Sequence, residues 1–318
     1  MAMPRLRIRD VSPRLGLQAH IVETQHKIEL VERLIAAGVP AVEVSSFVNP
    51  KLVPGLADAE AVFANVSRPP GVSLECCVGN LTGLKRAIDS GAHAAWFLLA
   101  ADEEFSRANI GRSIDESLAE LARMREAAAR SGTRLGTYLI AAFGGPVGLA
   151  RGPDDIQSVA RRLLEMEVRD WILADSCGYA APPQIRDMVR FAAGLVGLEH
   201  VTVQVHDSRG MGLADIAALV DVGITNVDLS LAGSGAHPAA PGAAAGGVCT
   251  EDAVQMLELM GVATGVDLQA LLDAANWLDG VLGGREKGFT RRIGRVPTNA
   301  LQSEQARALR GPFSWTAR

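Results

Sequence analysis

The sequence predicts an α/β protein, a closed (β/α)₈ barrel, and three observations carry that prediction. Short apolar runs alternate with amphipathic helical stretches along most of the 318 residues, and such alternation implies a parallel sheet covered by helices. The alternation repeats as eight strand–helix units, which over about 260 residues is the size of one barrel. No G-x-G-x-x-G follows the first strand, which weakens the doubly wound alternative.

The elements follow in order. Leu6–Gln18 opens as a strand, with Leu6, Ile8 and Val11 apolar, and turns through Ser12-Pro13 and Gly16. Thr24–Gly38 carries apolar residues at helical spacing, and Gly38 stops it. Ala41–Phe47 is a strand, Ala57–Val66 a helix, Val72–Val78 a strand and Leu81–Ser90 a helix. Ala94–Ala101 is an apolar strand, and Ser113 with Glu116 forms a capping box that opens a helix running to about Ser131. Arg134–Phe143 is a strand that Gly144-Gly145-Pro146 ends. Asp154–Glu167, Pro183–Leu195, Leu213–Val222 and Glu251–Met260 are helices; Trp171–Asp175, Val201–Asp207 and Val227–Leu231 are strands. Residues 267–284 form an extra helix. The expected division is a barrel over 1–285 and an extension over 286–318, serving as a lid, an interface arm or a disordered tail.

Composition narrows the partners. The net charge of −5 gives no support to a nucleic-acid partner. Four cysteines without CxxC spacing or a disulfide framework fit a reducing cytoplasm. No apolar run is long enough for a membrane span, and the N-terminus has no apolar signal region.

In a barrel of this kind, chemistry gathers at the C-terminal ends of the strands. The polar residues expected there are Arg9, Asp10, Glu43, Asn80, Asp175, Gln204, His206 and Asp207, and the loop 233–247 adds His237. Arg9-Asp10 breaks the apolar run of a buried parallel strand, and an unpaired buried charge is costly. Each residue alone has a structural explanation, as an ion-pair partner or a satisfied core histidine. As a set they indicate a polar mouth. Asp10 and His206 suit a divalent ion, and Gln204 lies on the same strand face as His206. Pro238 holds His237 extended inside a glycine-rich loop.

The sequence resembles the 3-hydroxy-3-methylglutaryl-CoA lyase family of metal-dependent lyase and Claisen-condensing barrels. The resemblance rests on RDVSPRLGLQ at 9–18, VEVSSFVNPKLVP at 42–54, GNLTG at 79–83, FSRANIGRSIDES at 105–117, ADSCGYAAP at 174–182, VHDSRG at 205–210 and CTEDAVQMLELMG at 249–261. It implies a divalent cation, Mg²⁺ or Mn²⁺, and cleavage of a 3-hydroxy-acyl-CoA or related acid through an enolate, in a protein expected to be a homodimer. It assigns Asp10 and His206 as metal ligands, Arg9 to the enolate, and Glu43 and Asp175 as acidic residues of the pocket.

Several positions depart from the family pattern. His-x-His becomes Gln204-Val205-His206, an Asn ligand becomes Gly247, and the catalytic Cys becomes His237. The RDG of the first motif reads Arg14-Leu15-Gly16, and an arginine of the fifth strand falls at Gly136. Three readings follow. The first is a carbon–carbon lyase in which His237 replaces the thiol as proton donor and Asp10, His206 and Gln204 hold a weakened metal. The second is a metal-independent relative acting on another acyl thioester or keto acid. The third is a non-catalytic protein that binds an acyl-CoA or a partner.

Overall fold

The structure, a computed structural model, describes residues 5–145, 149–235 and 246–310. Eight strands form the closed barrel: β1 (Arg7–Asp10), β2 (Ala41–Ser46), β3 (Ser73–Val78), β4 (Ala94–Ala100), β5 (Arg134–Ile140), β6 (Trp171–Asp175), β7 (Val201–Val205) and β8 (Asn226–Leu229). Each strand pairs in parallel with the next, and β1 closes on β8 with Arg9 opposite Asp228. This is the (β/α)₈ architecture the sequence predicts. Strand β5 ends earlier than the apolar run suggests, because Ala141 has φ 56°, in the left-handed region that extended backbone cannot continue through.

Packing divides into two layers. Between sheet and helices, Leu30, Val31 and Leu34 of the helix Thr24–Ala36 pack with Val42, Val44, Leu74 and their equivalents around the ring. Inside the barrel, Ala94 and Trp96, Tyr138 and Ile140, Ile172 and Ala174 sit at alternate positions of β4, β5 and β6 and form a second cluster. Alternate side chains of a strand point to opposite faces, so one run of residues builds both layers.

The helix ends bear out the local signals. Ser113 and Glu116 make the reciprocal capping box at the start of Ile114–Ser131. The extra helix is Leu268–Val281, capped by Asp267, which accepts from Gln269 N at 2.8 Å. The chain beyond it is fastened to the barrel's outer helices. Asp252 accepts from Phe289 N and Thr290 N, Arg291 pairs with Asp279 at 3.0 Å, and Val296 N donates to Gln255. No helix among the described residues is long and apolar enough to cross a membrane.

Candidate active site

The segment leaving β1 determines what reaches the barrel mouth. Period-2 alternation turns Arg9 into the barrel, where it is buried. Its Nε and Nη2 donate to Asp228 at 2.9 and 2.5 Å, Nη1 donates to Glu75 at 3.0 Å, and Nη2 donates to the Tyr138 hydroxyl at 2.8 Å. The guanidinium also lies 4.7 Å from the centre of the Trp96 ring. Burial opposes the charge on Glu75, yet Arg9 and Arg7 draw its carboxyl down to about 2. This is a compensated ion cluster beneath the cavity. Arg9 does not line the cavity and is held instead by Asp228, Glu75 and Tyr138.

The arginine that reaches the cavity is Arg14. After Val11 the backbone turns as a short helical segment, Ser12–Gly16, with Pro13 in its first turn. That turn carries Arg14 back over the strand ends. Its Nε donates to Glu43 at 2.6 Å, and its Nη2 donates to the Tyr138 hydroxyl at 3.0 Å. The Tyr138 hydroxyl in turn donates to the other oxygen of Glu43 at 3.0 Å. Burial disfavours the charge on Arg14, but Glu43 and Tyr138 hold it firmly protonated. Glu43 is fully buried and serves as the anchor of this arginine.

Above this floor lies a cavity of about 590 Å³. Val48, Leu52, Val53, Leu98, Ile110 and Ile140 form its apolar wall. Arg14, Tyr138, Gln204 and His206 supply polar groups near the strand ends, and Gln18, Asn49, Asn109 and Arg112 supply others.

Other expected site residues are tied to the backbone. Asp10 is buried, its Oδ1 accepts from Ser12 N at 2.9 Å and from Ser12 Oγ at 2.5 Å, and its Oδ2 accepts from Thr250 Oγ1 at 2.5 Å. Burial raises its carboxyl to about 6. Asp175 accepts from Tyr179 N and Ala180 N at 2.8 and 3.0 Å, fixing the turn after β6, and burial raises it to about 6 as well. Asn80 caps the helix Leu81–Asp89 through Gly83 N, and Asp207 accepts from Gly212 N. The expected convergence is therefore partial: Asn80, Gln204 and His206 reach the cavity, whereas Arg9, Asp10, Glu43 and Asp175 do not line it. His237 lies outside the described residues.

The divalent cation implied by the resemblance does not fit these donors. The lining contains no carboxylate. No group of three or more His, Cys, Asp and Glu among the described residues is arranged to hold a metal. Asp10 accepts from Ser12 and Thr250, and Gln204 Nε2 donates to Asp228 at 3.2 Å.

Sequence reasoning named Arg14 only within the motif Arg14-Leu15-Gly16 and gave it no role, and it missed Tyr138, Glu75, Asp228 and Trp96. A signal was present for two of them. Glu75 in SLECCV and Asp228 in NVDLSL are lone acids in otherwise apolar strands, and each needs a buried cation. Arg9 is that cation. Gly136 is explained too: a Cβ there would stand 2.3 Å from the Trp96 ring, which donates its Nε1 hydrogen to Glu75.

Comparison with known proteins agrees with this architecture. Residues 5–278 match the HMGL-like family. A 3-hydroxy-3-isohexenylglutaryl-CoA/hydroxymethylglutaryl-CoA lyase from Pseudomonas aeruginosa is 37% identical over 286 residues, covering 89% of this chain and 95% of its own. An (R)-citramalyl-CoA lyase from Chloroflexus aurantiacus is 35% identical, covering 88% of this chain and 92% of its own. The solved HMG-CoA lyase from Acinetobacter baumannii, in complex with coenzyme A and 3-methylmalate, superposes with a TM-score of 0.88 at 31% identity, covering 93% of this chain and 97% of its own. With the barrel, the strand-end cavity and the match over nearly its whole length, the chain belongs to the HMGL-like family.

Proposed function

We propose that the chain is a carbon–carbon lyase that cleaves a 3-hydroxy-acyl-CoA or a related acid through an enolate. The observation that carries this reading is the Arg14 guanidinium, pinned by Glu43 at 2.6 Å and by Tyr138 at 3.0 Å on the floor of a cavity at the strand ends. A fixed, water-poor cation is the group that stabilises a developing oxyanion most.

The chemistry assigns roles to the residues present. The substrate's 3-hydroxyl loses its proton, the C2–C3 bond breaks, and its electron pair passes into the thioester as an enolate while C3 becomes a carbonyl. Arg14 faces the oxygen that gains charge. His206, which lines the cavity, is the group of suitable type to take the hydroxyl proton. The enolate carbon then takes a proton, and His237 is the proposed donor. Glu43 and Tyr138 act through Arg14, and Asp175 acts by shaping the turn after β6. The relatives that bind or cleave CoA thioesters support this class of substrate.

A second reading has one observation behind it. Leu15 and Gly247 leave the cavity without two polar side chains that the family pattern carries, as a non-catalytic acyl-CoA binder would. Incubation with 3-hydroxy-3-methylglutaryl-CoA and citramalyl-CoA, followed by mass spectrometry, separates the two. The lyase reading expects acetyl-CoA with an equal amount of keto acid. Saturable binding without acetyl-CoA release selects the second reading.

A further inference from the structure

We propose that the cavity takes its ligand as an anion held by Arg14 and binds no divalent cation. This rests on the same cavity as the lyase reading and deepens it, but its test needs no turnover. The chain has 36 acidic residues, and none of them lines the cavity. The segments outside the description, 1–4, 146–148, 236–245 and 311–318, contain no Asp or Glu. The acids at the strand ends are engaged elsewhere: Asp10 with Ser12 and Thr250, Glu43 with Arg14 and Tyr138, and Asp175 with the turn after β6. Mg²⁺ and Mn²⁺ are hard ions that choose carboxylate oxygens, and one imidazole with one amide is a poor substitute.

The space beside His206 is also closed to further donors. His206 bridges to Gly247 across the strand ends. Leu15 is buried, with its Cδ2 3.7 Å from where a Cβ would stand at Gly247 and its Cγ 2.9 Å from a Cβ at Gly235. A Cβ at Gly247 would also come within 2.9 Å of the Ser230 Cβ, so no side chain enters from that position without moving its neighbours. An apolar leucine packed against two bare backbones fills this corner. Such a wall gains from burial and offers a metal nothing.

The cations that line the cavity are Arg14 and Arg112, and the amides of Gln18, Asn49, Asn80, Asn109 and Gln204 line it with them. Guanidinium and amide N–H groups donate, and their natural counterpart is a carboxylate or an enolate oxygen. The ligand class is therefore an acid or thioester with at least one anionic or strongly polarised oxygen. Glu43, the carboxylate nearest to these donors, is already committed to Arg14 and Tyr138 and does not line the cavity.

The test uses the full chain and two probes. Mn²⁺ is titrated while its free electron-paramagnetic-resonance signal is followed, up to about 1 mM, the weak end of oxygen-ligand cation sites. The proposal expects no saturable site. One Mn²⁺ bound per chain, and lost in His206→Ala, overturns it. In the second arm 3-hydroxy-3-methylglutarate is titrated by calorimetry in excess EDTA. Binding is expected, weakened about 10–100-fold in Arg14→Met, as for loss of a charged hydrogen bond. No binding until Mn²⁺ is supplied, or binding indifferent to Arg14→Met, overturns the proposal. A folded Leu15→Asp/Gln204→His variant is expected to gain Mn²⁺ binding. If it does not fold, the wild-type titrations decide alone. Anion binding in EDTA without cleavage of any thioester would sink the lyase reading and leave this one standing.

Discussion

Arg14 Nε donates to Glu43 Oε2 across 2.6 Å, and the pair is buried at the base of the strand-end cavity. Removing one partner of a buried pair strands the other charge, at a cost of about 3–5 kcal/mol. Glu43→Ala is expected to lower stability by that order in urea melts. Glu43→Gln retains the shape and an acceptor oxygen, so it should fold and lose turnover by raising the freedom of Arg14. Equal turnover in wild type and Glu43→Gln would remove Glu43 from the site.

Arg9 and Arg14 make a matched comparison. Arg9 neutralises Asp228 and Glu75 below the cavity and meets its lining only through the Tyr138 hydroxyl. Arg9→Met is expected to cost about 3–5 kcal/mol of stability, because two carboxylates are left buried. Adding Glu75→Gln and Asp228→Asn should recover much of that loss. A fully stable Arg9→Met would contradict the cluster described above.

Gly247 sets a limit on redesign. A Cβ there would stand 2.9 Å from the Ser230 Cβ, so Gly247→Asn is expected to destabilise by about 1–3 kcal/mol, as overpacking does. On sequence grounds the same substitution, with Gln204→His, would strengthen a metal site. The packing predicts strain instead, and a thermal melt of the single variant distinguishes the two outcomes.

Stability should fall as pH rises through neutrality, and Glu251 is the main reason. Burial raises its carboxyl from 4.5 to about 8, with one oxygen accepting from Ala232 N and the other without a hydrogen-bond partner. A carboxyl raised by folding binds more protons in the native state than in the unfolded one. Its favourable contribution is therefore full at low pH and is lost between about 4.5 and 8. Asp10 and Asp175 act in the same direction between 3.8 and about 6. Glu75 opposes them only below 4.5, where its depressed carboxyl loses stability on acidification. Denaturant melts at pH 5.5 and 8 should show the wild type weaker at pH 8, and Glu251→Gln should flatten the difference. A wild type stronger at pH 8 would refute this.

His237 remains the proposed proton donor. His237→Ala is expected to cut turnover about 10²–10⁴-fold with an unchanged melting temperature. A loss below tenfold with unchanged affinity would return it to an ordinary loop residue.

The fold was largely legible because strands and helices declare themselves locally. AAWFLLA reads as a buried strand, and Ser113 with Glu116 reads as a helix start. The site was legible only in part, because its partners are distant in sequence. Arg9 meets Asp228 and Glu75 across separations of 219 and 66 residues. A charged residue near a strand end carries no local mark of whether it points inward, as Arg9 does, or is bound to its own turn, as Asp10 is. The helical turn Ser12–Gly16, which brings Arg14 to the mouth, has no periodicity to announce it.

The most direct test is the turnover of Arg14→Met and Arg14→Lys against a 3-hydroxy-acyl-CoA that the wild type cleaves. Arg14→Met is expected to lower kcat about 10²–10³-fold, the cost of losing a preorganised oxyanion donor. Arg14→Lys should recover little, since an ammonium cannot span Glu43 and Tyr138 with one planar fork. Undiminished kcat in Arg14→Met would contradict the account.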